Sequence, residues 1–209
     1  MKSPTNHYKT LSKSLNKAKK INNGINKISC RSDLEHLKLQ SYVFLCHSAL
    51  EQYIEDLGLA AAQAARTKFS SSGIVTKTLI ALISSKLVND ISSKSRLKLS
   101  EELVSSIEIF SKEAFNRYRH IVQSNNGIKK DDQKNIFLPI GVDPEINDIL
   151  LMNNLHSFGT KRGDVAHKFK VQRTDTLTSV ETEINAIISN IIGYDKAVCE
   201  SLKTRMVKI

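Results

Sequence analysis

The sequence predicts an all-α protein, a bundle of four to six helices. Two observations carry this. Gly (8) and Pro (3) are scarce over 209 residues and Trp is absent, so little interrupts a helix. Apolar residues also recur at steps of three and four along most of the chain, the period of a helix with one buried face. With 40% hydrophobic and 25% charged residues, the composition is that of a folded chain rather than a disordered or fibrous one. The length suits one helical domain, taken as residues 32–209, preceded by a basic extension at 1–31.

Within the extension, Leu11, Leu15, Ala18 and Ile21 fit a short basic amphipathic helix ending near Asn22-Asn23-Gly24. Ser32 and Glu35 are spaced as a capping box and open the strongest helix. Its inner face is read as Leu34, Leu37, Tyr42, Leu45, Ala49, Tyr53 and Leu57, widened by Val43, Phe44, Cys46, Leu50 and Ile54, with an end near Arg66. After a turn at Ser70–Gly73, a second core helix spans Ile74 to Ile91. A third starts at Ser100, with Leu103, Ile107, Phe110, Ala114, Phe115, Tyr118 and Val122 inward. Residues 123–143 show no periodicity and read as a long polar loop. Asp143-Pro144-Glu145 then starts a helix, with Asp at the N-cap and Pro in the first turn, and Ile146, Ile149, Leu150, Met152 and Leu155 facing inward. The last helix begins at Thr178 or Ser179 and carries Val180, Ile184, Ile187, Ile191, Tyr194, Val198 and Leu202.

Charge is uneven along the chain. The formal net charge is +10, yet residues 1–31 hold eight basic residues and no acid. A second excess lies at 160–173, where Lys161, Arg162, Lys168, Lys170 and Arg173 face only Asp164. Such clusters suit a polyanionic partner. For the extension the alternatives are nucleic acid, an acidic partner such as an antitoxin protein, an anionic membrane surface or plain solvation. The membrane reading is the weakest, because Leu11, Leu15 and Ile21 offer little apolar area.

Other classes are excluded. No apolar run approaches the roughly 20 residues of a membrane span, and no apolar stretch of a signal peptide follows the basic N-terminus. Cys30, Cys46 and Cys199 are too few for a disulfide framework or zinc ribbon, so reduced thiols and a cytoplasmic location are expected. His36, His120 and His156 are scattered, and His47 with Glu51 forms only a local pair, so neither a metal nor a cofactor is expected.

The segment 155–173 concentrates Arg162, Asp164 and His167 among basic neighbours, between two helices. A basic loop with a histidine suits binding a phosphodiester and moving protons around it. Arg162 and His167 are five residues apart, so on an unbroken helix they diverge by about 140°. A break at Gly163, with Asp164 capping a short helix, lets them converge on one phosphate, or else they meet their copies across a dimer.

Arg162-Gly-Asp-Val-Ala-His167 resembles the R-x4–6-H motif of HEPN domains, and the RiboL-PSP-HEPN branch is the most similar. There an early helix also carries an Ala-Leu-Glu stretch, here Ala49-Leu50-Glu51, and a closing helix follows the motif. The resemblance covers residues 32–205. It implies a metal-independent endoribonuclease acting as a homodimer with the site at the interface, in toxin–antitoxin or phage-defence systems. It implies His167 as general acid or base and Arg162 as the phosphate ligand. Glu51 would orient Arg162 or the polar residue after it, and Asp164 would supply the polar group that active members carry directly after the arginine. Lys161, Lys168, Lys170 and Arg173 are then expected to contact RNA. Here Gly163 follows the arginine, which leaves a second reading open: a non-catalytic HEPN-like module binding RNA, a nucleotide or a protein.

Overall fold

The computed structural model describes residues 1–91, 106–167 and 174–203, with the backbone alone at 87–91 and 163–167. The described residues form seven α-helices and no strand: α1 (Asn6–Ala18), α2 (Asp33–Ser72), α3 (Lys77–Ile91), α4 (Ile107–Gln123), α5 (Lys130–Phe137), α6 (Pro144–His167) and α7 (Leu177–Ser201). Helix α2 is the central post, against which every other helix packs. The Ser32 side chain caps it by accepting from the Glu35 amide, and Gly73 closes it in the left-handed conformation at φ 66°. It therefore runs past Arg66 to Ser72. One face, including Leu39, Tyr42, Val43, Cys46, Leu50, Ile54 and Leu57, is buried. Leu34, Leu37 and Leu45, expected inside, are exposed, because among the described residues no helix covers that side of the post.

Residues 1–31 do not stand outside the fold. Leu11, Leu15 and Ala18 bury one side of α1 against α2. Thr5 caps α1 through the Tyr8 amide and also donates to the Asp195 carboxylate, which is wholly buried in α7. Further along, the Thr178 amide and hydroxyl both donate to the Lys27 carbonyl. The Glu35 carboxylate accepts from the amides of Asn26 and Arg31. A polar sequence with an apolar residue only every third or fourth place is enough to dock one face of a helix, and the lysines lie on the other.

Residues 123–143 are not a loop. They hold α5 and a 3-10 turn at Leu138–Ile140, with Ile128, Ile136, Phe137, Ile140 and Val142 buried. A two-turn helix is too short to show a repeat, and three of these five buried residues lie in the turns around it. Its centre is a polar knot: Gln133 Nε2 donates to the carbonyls of Ile128 (2.8 Å) and Met152 (3.1 Å), and Tyr194 Oη donates to Gln133 Oε1 (2.8 Å). Helix α4 begins after Ser106, whose hydroxyl accepts from the Ile109 amide; the Ser100 start and Leu103 lie outside the described residues, and Ile107, expected inside, is exposed in the first turn.

Asp143 caps α6 as expected, accepting from the amides of Glu145 (2.9 Å) and Ile146 (3.3 Å). Asp148 then leaves helical geometry (φ −162°, ψ 92°) and caps a restart through the Leu151 amide at 2.9 Å. That kink resets the helical phase. Leu151, Met152, Leu155 and Phe158 turn inward, while Ile146, Ile149 and Leu150 are exposed.

Candidate functional site

The site is built where α2, the segment 125–132 and α6 meet. On α2, His47, Glu51 and Glu55 follow at steps of four, so they share one face of the helix. The opposing wall begins with Asn125, whose Nδ2 donates to Glu55 Oε1 (2.8 Å) and to the Gly127 carbonyl (2.9 Å). It continues through Lys129, whose amide donates to Asp132 Oδ2 at 2.8 Å. The Lys130 amide donates to His156 Nδ1 at 3.3 Å and so ties the start of α5 to α6. Gly159 lets α6 come close: a Cβ there would lie 3.1 Å from Ile128 Cγ1 and 3.3 Å from Lys129 Cγ. One turn further along α6, Arg162 is half-buried and within electrostatic reach of both His47 and Glu51.

These neighbours set the protonation states. Burial, reinforced by the charges of Arg162 and Lys129, lowers the His47 pKa to about 4. Its Nδ1 lies 3.6 Å from Glu51 Oε2, a geometry that would suit an ion pair. With the side chain 1% exposed and two cations near it, the imidazole is neutral, so the contact is not one. Nδ1 has no hydrogen-bond partner among the described residues. Burial also raises the Glu51 carboxyl, Glu55 and Asp132 add to the rise, and Arg162 opposes it. Glu55 is likewise raised by burial, and its bond from Asn125 offsets part of that. The result is a half-buried carboxylate cluster that feels the charge of Arg162 on α6. A guanidinium suits the oxygens of a phosphate.

Glu51 therefore lies where it can act on Arg162. The segment 155–167 differs from its expected form. Helix α6 continues through Gly163 to His167, and its sole departure from helical geometry is at Asp148. A lone glycine costs a helix about 1 kcal/mol relative to alanine, too little to break one already packed. Asp164 is thus a residue within the helix and not an N-cap, and the backbone places positions 162 and 167 about 140° apart on it. Lys161 is not a free cation: its ammonium lies 2.6 Å from Glu183 and 3.2 Å from Asp175. Burial works against its charge, but these two carboxylates outweigh it and raise its pKa. Lys168, Lys170 and Arg173 lie outside the described residues. Glu55, Asn125, Lys129, Asp132 and His156 are site residues that sequence reasoning missed. For Glu55 a signal existed, the polar i, i+4 run on a helix otherwise apolar beside it.

Among the described residues no group of three His, Cys, Asp or Glu side chains is placed to hold a metal, and no helix is long and apolar enough to cross a membrane. The Cys46 thiol is pushed up to about 12 by burial and is inert as a nucleophile.

The described residues form an all-α bundle of the HEPN type. The RiboL-PSP-HEPN family model matches residues 6–204, and the chain belongs to that family. Neither the curated proteins nor the solved structures contain a match to it.

Proposed function

We propose that the protein is a metal-independent endoribonuclease acting as a homodimer. The observation that carries this reading is the Glu51 carboxylate within the field of Arg162, inside a HEPN-family fold. Arg162 binds the scissile phosphate and stabilises the charge that builds on it, and Glu51 orients Arg162. The ribose 2′-oxygen attacks the adjacent phosphorus while one His167 takes its proton. The bond from phosphorus to the 5′-oxygen breaks, and the His167 of a second copy protonates that oxygen. The products are a 2′,3′-cyclic phosphate and a 5′-hydroxyl. The divergence of 162 and 167 on one helix supports a composite site, in which each chain supplies part of the proton transfer. A toxin or phage-defence role, with an antitoxin protein as partner, is the setting proposed for this activity.

The test is RNA cleavage in EDTA with analysis of the ends. Cyclic-phosphate ends lost in both His167→Ala and Arg162→Ala are expected. Cleavage that persists in both variants would sink the reading. Gly163 favours a second reading, because the polar residue after the arginine is displaced to Asp164, about 100° further round the helix. That reading is a binding module, and it predicts saturable RNA binding by the wild-type chain with no turnover.

A further inference from the structure

Helix α1 carries a basic face that the site does not use. Lys9, Lys13 and Lys17 follow at steps of four, Lys20 continues the line in the 3-10 turn Lys19–Asn22, and all four are exposed. Successive positions rise by about 6 Å along the helix. Among the described residues none of the four has an ion-pair partner, whereas Lys19 beside them pairs with Glu181 at 3.4 Å. No carboxylate occurs in residues 1–31 to dilute the charge. The anchors of this segment on α2 and α7 (Leu11 and Leu15 in the core, Thr5 on Asp195, Lys27 on Thr178) fix the row in place. A fixed row of cations loses less entropy on binding than a mobile tail does.

We propose that this lysine row is a second RNA-binding surface, which grips the phosphate backbone away from Arg162. The inference rests on the reading of RNA as the ligand of the site. The chemistry of the row favours a nucleic-acid backbone. The apolar side of α1 is buried, so nothing remains to insert into a lipid interface. The row also lacks the apolar or aromatic anchors that carry a protein interface. Phosphodiesters need only spaced cations. His7 approaches Asp56 at 4.0 Å, and Asp56 is about 140° round α2 from Glu51. The row thus holds RNA flanking the scissile phosphate rather than the phosphate itself.

The experiment uses the full chain and its quadruple variant Lys9→Gln, Lys13→Gln, Lys17→Gln, Lys20→Gln. The probe is a single-stranded RNA methylated at every 2′-oxygen, which cannot be cleaved by 2′-attack. Binding is followed by fluorescence anisotropy across a salt series. At about 0.7 per phosphate contact, the slope of log K against log salt is expected to become shallower by about 2.8 in the variant. The melting temperature stays the same, because all four side chains are exposed. An unchanged slope overturns the proposal. So does loss of binding to phosphatidylserine vesicles with the RNA slope retained, which would assign the row to a membrane surface. A parallel assay with cleavable RNA separates this from the cleavage reading. If the wild type leaves that RNA intact while the variant still loses slope, the cleavage reading fails and the row stands. If the wild type cleaves and the slopes agree, the row fails alone.

Discussion

His47 makes the arrangement of the site measurable without any substrate. In the folded protein its pKa lies at about 4, while an unfolded chain keeps the ordinary value of 6.5. Between the two values the unfolded chain holds a proton that the folded protein refuses. His47 therefore costs no stability above pH 6.5 and a growing amount as the pH falls towards 4. The gap corresponds to about 3 kcal/mol at most, of which about 2 kcal/mol is expressed between pH 7 and pH 4.5. Glu51 and Glu55 act in the opposite sense, since their raised carboxyls regain stability as the pH falls. A comparison with His47→Gln, which keeps both glutamates, isolates the histidine. The assay is urea unfolding of both proteins at the two pH values. The wild type should lose about 2 kcal/mol more than the variant on going to pH 4.5. A constant offset between them is irrelevant, because only the difference in pH dependence reads the imidazole. Parallel losses, or a His47 imidazole titrating near pH 6.5 by NMR, would refute the neutral histidine and leave Glu51 neutralised by it rather than held for Arg162.

Three further outcomes can be checked. In Gly58→Ala the new methyl group would press on Tyr118 Oη and stand 2.8 Å from Ile136 Cγ2, so thermal unfolding should show a loss of about 1–3 kcal/mol. Tyr194→Phe leaves the buried Gln133 Oε1 without its donor, and a loss of about 1–3 kcal/mol is expected by chemical denaturation with the helix content unchanged by circular dichroism. Lys161→Ala should cost on the order of 1 kcal/mol by releasing Glu183 and Asp175 against each other, while the salt slope of RNA binding stays as in the wild type; a shallower slope would return Lys161 to the RNA surface.

Where the sequence was legible, a local rule had nothing to compete with. Ser32 with Glu35 and Asp143 with Pro144 mark helix starts that the structure keeps, and the apolar period of α7 survives intact from Val180 to Leu202. The family and the all-α class were likewise readable. The misreadings share a cause, which is that packing partners are invisible in one dimension. The phase of Ile146, Ile149 and Leu150 inverted because Asp148 accepts the Leu151 amide and restarts the helix. Gly163 suggested a break, but a packed helix absorbs a glycine. Lys161 looked like part of a basic cluster until Asp175 and Glu183 were folded beside it. Asn125, Lys129 and Asp132 reach the site only because α5 docks against α2 and α6, and no motif announces that.

The bond from Thr5 to Asp195 joins positions 190 residues apart. During synthesis the first turn of α1 is made long before the carboxylate that holds it, which lies on α7. Leu11 and Leu15 can settle on α2 in the nascent chain, yet the anchor at the head of the helix waits for α7. Contacts of such sequence separation form late. The lysine row of α1 is therefore locked only after α7 has left the ribosome, itself a surface of RNA phosphates.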